Sequence, residues 1–270
     1  TLSRGTYSGA KELAEHITKN AGYKLLSRET IIDELGRYGW VDTKLGKARH
    51  KQLSILQRMN LEWVHYLACL RAVLSKEARE ESLVYHGNNG HIVLRGFPHV
   101  LSIKVIADIE DRIKAVLARN EYAIDRKEAI RIINRIDQRR DRWSQFLYQT
   151  NVNDVSAFDI VIDLSRKSIA DAYEMIHSTI SLPQYQPTPE SRKAIDDLVL
   201  AADLRARIAM ETDIMDDEIE VEIHNGMLDV KGAVHSLQDA EELREFLACQ
   251  PEVTQVESHL EEYLRGENEV

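Results

Sequence analysis

Ser3-Arg4-Gly5-Thr6-Tyr7-Ser8-Gly9-Ala10-Lys11-Glu12, running straight into Leu13-Ala14-Glu15-His16-Ile17, decides how this chain is read. A phosphate-binding loop asks for Gly, four residues, Gly, Lys and then Ser or Thr. The spacing lets backbone N–H groups turn inward on an anion in front of a helix N-terminus. Counted from Gly5, Lys11 arrives in register, while Ala10 takes the second glycine position and Glu12 the hydroxyl position. Gly5, Ser8 and Gly9 supply the turn, and Lys11 adds a positive charge for phosphate. The candidate phosphate-binding set is therefore Gly5, Thr6, Ser8, Gly9, Ala10, Lys11 and Glu12.

Around this loop the composition is that of a globular protein of 270 residues, 43% hydrophobic and 30% charged. No apolar run approaches the 18 residues of a membrane span and no signal-peptide pattern opens the chain, so the expectation is a cytoplasmic protein. Cys69 and Cys249 lie far apart and are expected to be reduced thiols. The net charge of −10 is unevenly placed: residues 191–270 hold 7 Lys and Arg against 21 Asp and Glu, leaving 28 against 24 in residues 1–190. Such asymmetry marks two units with different tasks. The first suits a small anionic ligand; the acidic second argues against nucleic acid, and against an anionic membrane, as a direct partner.

The boundary is drawn by proline. Leu182-Pro183-Gln184-Tyr185-Gln186-Pro187-Thr188-Pro189 is expected to be an extended connector, giving a first domain over 1–182, a linker over 183–191, a small domain over 192–262 and an acidic tail over 263–270. Before the linker, helical and strand patterns alternate. Helices are expected over 9–20 (ended by Gly22), 28–36, 46–80, 109–119, 126–150 and 168–180. Strands are expected over 82–85, 91–94, 101–106 and 158–162, the first two around a Gly87-Asn88-Asn89-Gly90 turn. Strands separated by helices imply an α/β fold, a parallel sheet with helices on both faces. After the linker come a helix over 192–211, a strand from Glu218 to Ile223, an Asn225-Gly226 hairpin turn and a returning strand to Val234. Ser236 with Asp239 then caps a helix to about 249, and Val253–Val256 closes a small α/β sandwich.

A second constellation is Asp137-Gln138-Arg139-Arg140-Asp141-Arg142-Trp143. Arginine suits phosphate because its planar guanidinium donates in a fixed fork and stays charged. On a helix Arg139 and Arg142 share a face, with Arg140 displaced by about 100°. Paired with a phosphate-binding loop, such a cluster is a candidate lid.

These motifs together resemble the cytidylate kinase-like family, a branch of the P-loop nucleoside monophosphate kinases. The match rests on Ser3-Arg4, Ser8-Gly9, Lys11-Glu12-Leu13-Ala14, the Asp137–Tyr148 segment, Asn153-Asp154 and Phe158-Asp159-Ile160-Val161-Ile162-Asp163, over residues 1–180. Family members carry a basic residue and Glu after the glycine loop, so Glu12 fits. The chain departs from the family at Ser27-Arg28-Glu29, at Asn88-Asn89 and at Gln145-Phe146, where the family favours Asp-Arg-Glu, an Arg-bearing turn and further arginines. The resemblance implies an ATP- and magnesium-dependent nucleoside monophosphate kinase with a CMP-like acceptor. Lys11 and the loop would hold the β/γ-phosphates, and Arg140 and Arg142 would clamp the moving phosphoryl group. Arg4, Arg28, Arg112 and Asp137 are candidate nucleotide contacts, Arg112 on the donor side and Arg28 on the acceptor side. The alternative is a catalytically degenerate nucleotide sensor.

Residues 192–262 resemble a BON domain through the strand at 219–223, the Asn225-Gly226 turn and Gly232-Ala233-Val234. That resemblance, with the acidic charge, implies a regulatory module that takes a protein partner, and leaves room for an oligomer. The ten histidines are scattered without metal-ligand spacing, and no nucleophile pattern is present.

Overall fold

Strand and helix alternate from the first residues of the chain, as the hydrophobic patterning requires. The computed structural model describes residues 1–26, 28–37, 55–80, 82–87, 89–119, 124–148, 154–212, 214, 219–224 and 226–262. In order, β1 (Leu2–Arg4), α1 (Ala10–Ala21), β2 (Lys24–Leu26), α2 (Arg28–Arg37), α3 (Ile55–Glu80) and β3 (Leu83–Tyr85) open the chain. They are followed by α4 (Gly90–Val93), β4 (Ile103–Ile106), α5 (Ile109–Arg119), α6 (Arg126–Tyr148), β5 (Ile160–Asp163) and α7 (Ile169–Ile180). The last part holds α8 (Pro189–Glu211), β6 (Glu220–His224), β7 (Met227–Val234), α9 (Leu237–Ala248) and β8 (Gln255–Glu262).

Two compact units result. One joins Thr1–Arg28 to Glu81–Pro187, the other Glu29–Glu80 to Thr188–Val270. The break at Pro187 lies inside the connector expected from the sequence, but α3, read there as part of the first domain, packs along α8 in the second unit.

In the first unit every strand pairing is parallel. Leu2 faces Ile103 and Ile103 faces Ile160, giving β1-β4-β5, while Lys24 faces Leu83 in β2-β3. A parallel bridge between Leu2 and His86 joins the two runs, so the order reads β2-β3-β1-β4-β5. Leu2, Ile103, Val105 and Ile162 bury one sheet face against Leu13, Ala14 and Ile17 of α1 and Ala172 and Ile176 of α7. The i, i+1, i+4 spacing in α1 makes that stripe, and burying each Leu or Ile contributes about 1.5–3 kcal/mol. Gly22 ends α1 in the left-handed region at φ 71, as a C-cap glycine should. A smaller core of Ile113, Val116, Ala129 and Ile133 fastens α5 to α6.

Two local expectations are corrected. His91–Leu94 is not a strand: Gly90–Val93 forms one helical turn, with Leu94 N–H bonded to Gly90 O at 3.0 Å. A short apolar run fits either structure, and here Asn89 at φ 60 sets the helical entry. A Cβ on Gly90 would lie 2.5 Å from the Tyr85 ring, so the turn closes over that side chain. Nor is the connector extended throughout. Pro183–Tyr185 is a 3₁₀ turn, and Pro189 is the first residue of α8, its fixed φ suiting that position. Thr188 caps α8, its hydroxyl accepting from Ser191 N–H at 3.1 Å.

In the second unit β6 and β7 pair antiparallel, and His224 opposite Met227 closes the hairpin over two residues; Asn225 lies outside the described residues. β8 adds parallel to β7. Ile223, Leu228, Val230 and Val234 pack with Leu204 and Ile208 of α8 and Leu243 and Leu247 of α9. Ser236 caps α9 by accepting from Asp239 N–H at 3.1 Å. Cys69 is buried and Cys249 exposed, and neither is in a disulfide. Among the described residues no helix is long and apolar enough to cross a membrane.

Candidate active site

β1 leaves the sheet at Arg4, and Gly5 extends its pairing by one bond, donating to Val105 O at 3.1 Å. The chain turns over Thr6, Tyr7 and Ser8 and enters α1 through Gly9 at φ 83. The backbone there favours glycine, and a Cβ on Gly9 would also lie 2.9 Å from Leu164 Cδ1 and displace the end of that side chain. Tyr7 is also left-handed, at φ 58. Its ring packs on the α5–α6 core, with the Arg119 guanidinium 5.7 Å from the ring centre. Ser8 is buried, and its hydroxyl has no protein partner.

Thr6, 4% exposed, is the hub. Its N–H donates to Asp137 Oδ1 at 3.2 Å, its carbonyl accepts from Arg112 Nε at 2.7 Å, and its hydroxyl accepts from Arg140 Nη1 at 2.8 Å. Arg112 Nη2 completes the ring through an ion pair with Asp137. Arg112 comes from α5, while Asp137 and Arg140, three residues apart, share one face of α6. The helical pair is thereby fastened to the loop. Burial would raise the Asp137 carboxyl, but the bonds from Thr6 and Arg112 outweigh it and hold the group below the usual carboxylate range. Burial lowers the Arg140 guanidinium, with Asp137 acting in the opposite sense.

A cavity of about 280 Å³ opens between α6 and the C-terminal ends of β1 and β4. Arg4, Lys104, Arg112 and Arg140 line it against two carboxylates, Asp137 and Asp141, so its field favours an anion. In open parallel sheets, ligands bind outside these strand ends. Asn89 and Ser144, both buried, complete the wall: the Asn89 amide donates to Ser144 Oγ at 2.8 Å and accepts from it at 3.0 Å.

Arg4 Nη1 lies 2.7 Å from His86 Nε2. Arginine only donates, so His86 accepts on Nε2 and carries its proton on Nδ1. Burial, then Arg4 and Arg140, push His86 down to about 4. His91 is likewise held at about 4, by burial and then Lys104. Unfolded histidine takes its proton near pH 6.5, so the native state binds fewer protons between these values. The contribution is therefore intact above pH 6.5 and is lost as pH falls towards 4. His86→Gln is expected to flatten part of that fall in a thermal-midpoint series from pH 7 to 4; an unchanged slope would exclude His86 as a source.

The family model that matches this chain is that of the cytidylate kinase-like family, over residues 1–166. The chain belongs to the cytidylate kinase-like family. Cytidylate kinases from two strains of Saccharolobus islandicus, Y.G.57.14 and Y.N.15.51, are each 22% identical over 191 residues, covering 70% of this chain and 94% of theirs. A crystal structure of an uncharacterized protein from Eubacterium ventriosum shares the fold, with a TM-score of 0.51 and 20% identity, covering 66% of this chain and 95% of that one.

Within this family member the structure gathers Gly5, Thr6, Arg4, Arg112, Asp137 and Arg140 at one place. Ser8 and Gly9 stand in the adjoining turn, and Ala10, 1% exposed, is the buried first residue of α1. Glu12 pairs with Arg119. Lys11 does not line the cavity; it is exposed and lies 3.7 Å from Glu15, one helical turn on. Arg142 is also exposed and off the cavity, because Arg140 occupies the inward face of α6. The Arg28 side chain, Ser27 and Asn88 lie outside the described residues. Sequence reasoning gave no site role to Lys104, His86, Asp141 or the Asn89–Ser144 pair, although Asp141 lay in the arginine constellation and Asn89 in a departure from the family. Lys104 also carried a signal, a charge in an otherwise apolar strand.

Proposed function

We propose that this protein is an ATP-dependent nucleoside monophosphate kinase with a CMP-like acceptor. The observation that carries the reading is Thr6 held simultaneously by Arg112, Asp137 and Arg140 beside a cationic cavity, in a chain of the cytidylate kinase-like family. Phosphoryl transfer needs positioning and charge neutralisation more than covalent chemistry. Arg140 meets the moving phosphoryl group, the N–H groups at the start of α1 and the Ser8 hydroxyl receive donor phosphates, and Arg4 faces the acceptor. The exposed Lys11 and Arg142 are assigned to the outer, solvent-side phosphates.

Among the described residues no group of three His, Cys, Asp or Glu could hold a metal. The orphan Ser8 hydroxyl fits magnesium that arrives on phosphate oxygens with most of its waters. When bound, magnesium would neutralise charge on those oxygens.

We read the second unit as a BON-like regulatory module for a protein partner. Within it the reading concerns residues 192–262, where the order of helix, two strands, helix and strand supports this, as does the charge of 21 acidic against 7 basic residues over 191–270.

The test is ADP release from magnesium ATP with each ribonucleoside monophosphate in turn. The expected result is turnover well above the acceptor-free rate, highest with a cytidine acceptor. A second reading, a nucleotide sensor, is favoured by one observation: Thr6 N–H is already bonded to Asp137, so that donor of the loop is not open to phosphate. Stabilisation by ATP without turnover on any acceptor would select the sensor and sink the kinase.

A further inference from the structure

A guanidinium drawn in from water is usually held by a carboxylate, which fixes it and cancels its charge together. Arg112 follows that pattern through its ion pair with Asp137. Arg4 does not. Its Nη1 donates to Nε2 of the His86 ring, 2.7 Å away. Burial and then Arg140 push its guanidinium down to about 10, and Glu12, the carboxylate that acts against them, is itself paired with Arg119.

The sheet delivers His86 to this place. It follows the last residue of β3, and its parallel bridge to Leu2 sets it beside β1, the strand that ends in Arg4. Arg4 lines the cavity and His86 does not, so the ring braces the guanidinium from behind the wall. The charges facing the ring keep it neutral. Arg4 on β1, Arg140 on α6 and Lys11 on α1 oppose a proton there, and Glu12 on α1 favours one. Together with burial they hold it at about 4, so at pH 7 it is an uncharged acceptor.

An uncharged brace matters because of the field it preserves. Arg4, Lys104, Arg112 and Arg140 line the cavity against two carboxylates, and a third carboxylate at position 86 would halve that positive surplus. A phosphate monoester brings about 1.5–2 negative charges at pH 7, and it meets the undiminished charge only if what orients Arg4 is neutral.

We propose that His86 is a positioning residue for the acceptor: its Nε2 fixes Arg4 through an uncharged hydrogen bond, leaving the full guanidinium charge for the phosphate of a nucleoside monophosphate. The proposal rests on the reading of the first unit as nucleotide-binding.

Replacements at position 86 separate holding from neutralising. His86→Gln keeps an uncharged acceptor, His86→Glu supplies an acceptor that cancels the charge, and His86→Leu supplies none. Each is titrated at neutral pH with the monophosphate that wild type binds best, expected to be CMP. Affinity should stay within about threefold of wild type in His86→Gln and weaken about tenfold or more in His86→Glu and His86→Leu. Without ligand, His86→Glu should melt level with wild type or above it, because an ion pair replaces a neutral bond. A histidine of purely structural worth would not part stability from affinity in this way.

Affinity within about threefold of wild type in both His86→Glu and His86→Leu overturns the proposal and leaves the nucleotide reading standing. So does a loss of magnesium ATP affinity as large as the loss for the monophosphate, which would mark a disturbed site. If His86→Leu fails to fold, His86→Gln and His86→Glu decide by themselves, since both keep an acceptor beside Arg4. A wild-type protein that neither ATP nor any nucleoside monophosphate stabilises overturns the nucleotide reading and this proposal with it.

Discussion

Gly9→Val is expected to remove nucleotide-induced stabilisation altogether and to lower the stability of the protein by about 2–4 kcal/mol. Two separate causes add. The backbone at Gly9 sits at φ 83, where a β-branched residue is a strong outlier. Its Cβ would also meet Leu164 Cδ1 at 2.9 Å, a contact that real Cβ atoms do not make. The end of the Leu164 side chain can yield, but the strained backbone cannot be relieved without shifting the loop, which takes the N–H groups at the start of α1 out of alignment. Gly22→Ala is the control: it carries the same left-handed backbone at φ 71, but nothing stands within 4 Å of the added carbon. It should cost about 1 kcal/mol and leave ligand shifts as they are. Comparable ligand shifts in Gly9→Val and wild type would show that the loop is not where phosphate binds.

Arg140→Ala should lower kcat by about two to three orders of magnitude with a much smaller change in stability. The side chain is the one arginine of its cluster that faces the cavity, and it donates to the Thr6 hydroxyl at 2.8 Å. Its removal takes a fixed cation from the site and one of the two bonds by which α6 holds Thr6, while the bond to Asp137 remains. Arg140→Lys keeps the charge but loses the forked geometry, and is expected to recover only part of the rate. Arg142→Ala, on the exposed side of the helix, should act through KM for ATP more than through kcat. Retention of kcat within about threefold in Arg140→Ala would contradict the role given to it.

How far the sequence carried can be judged element by element. The parallel sheet was legible because apolar strand runs alternate with amphipathic helices, and β3, β4 and β5 fall where those runs lie. Gly22 and Ser236 announced the ends of their helices through chemistry that is local, and local chemistry is what sequence records best. His91–Leu94 failed because four residues cannot show a period, and the Tyr85 ring, close in space, shapes the turn there. The grouping of α3 with α8 was hidden for a related reason: packing partners more than a hundred residues apart leave no mark on either segment. In the site, Arg112, Asp137 and Arg140 were named from pattern, but their convergence on Thr6 is a property of the folded chain. Lys11 shows the opposite limit. Spacing placed a lysine in register, and only the helix geometry reveals that its side chain runs along α1 to Glu15.

The claim on which the rest depends is that the loop of the first unit, with the arginines of α5 and α6, is a site for nucleotide phosphates. Titration of magnesium ATP into the intact wild-type protein by calorimetry tests it directly. Saturable binding at one site per chain with Kd below about 1 mM is the expected result, and no saturable heat over that range, with no thermal shift from ATP, would contradict it.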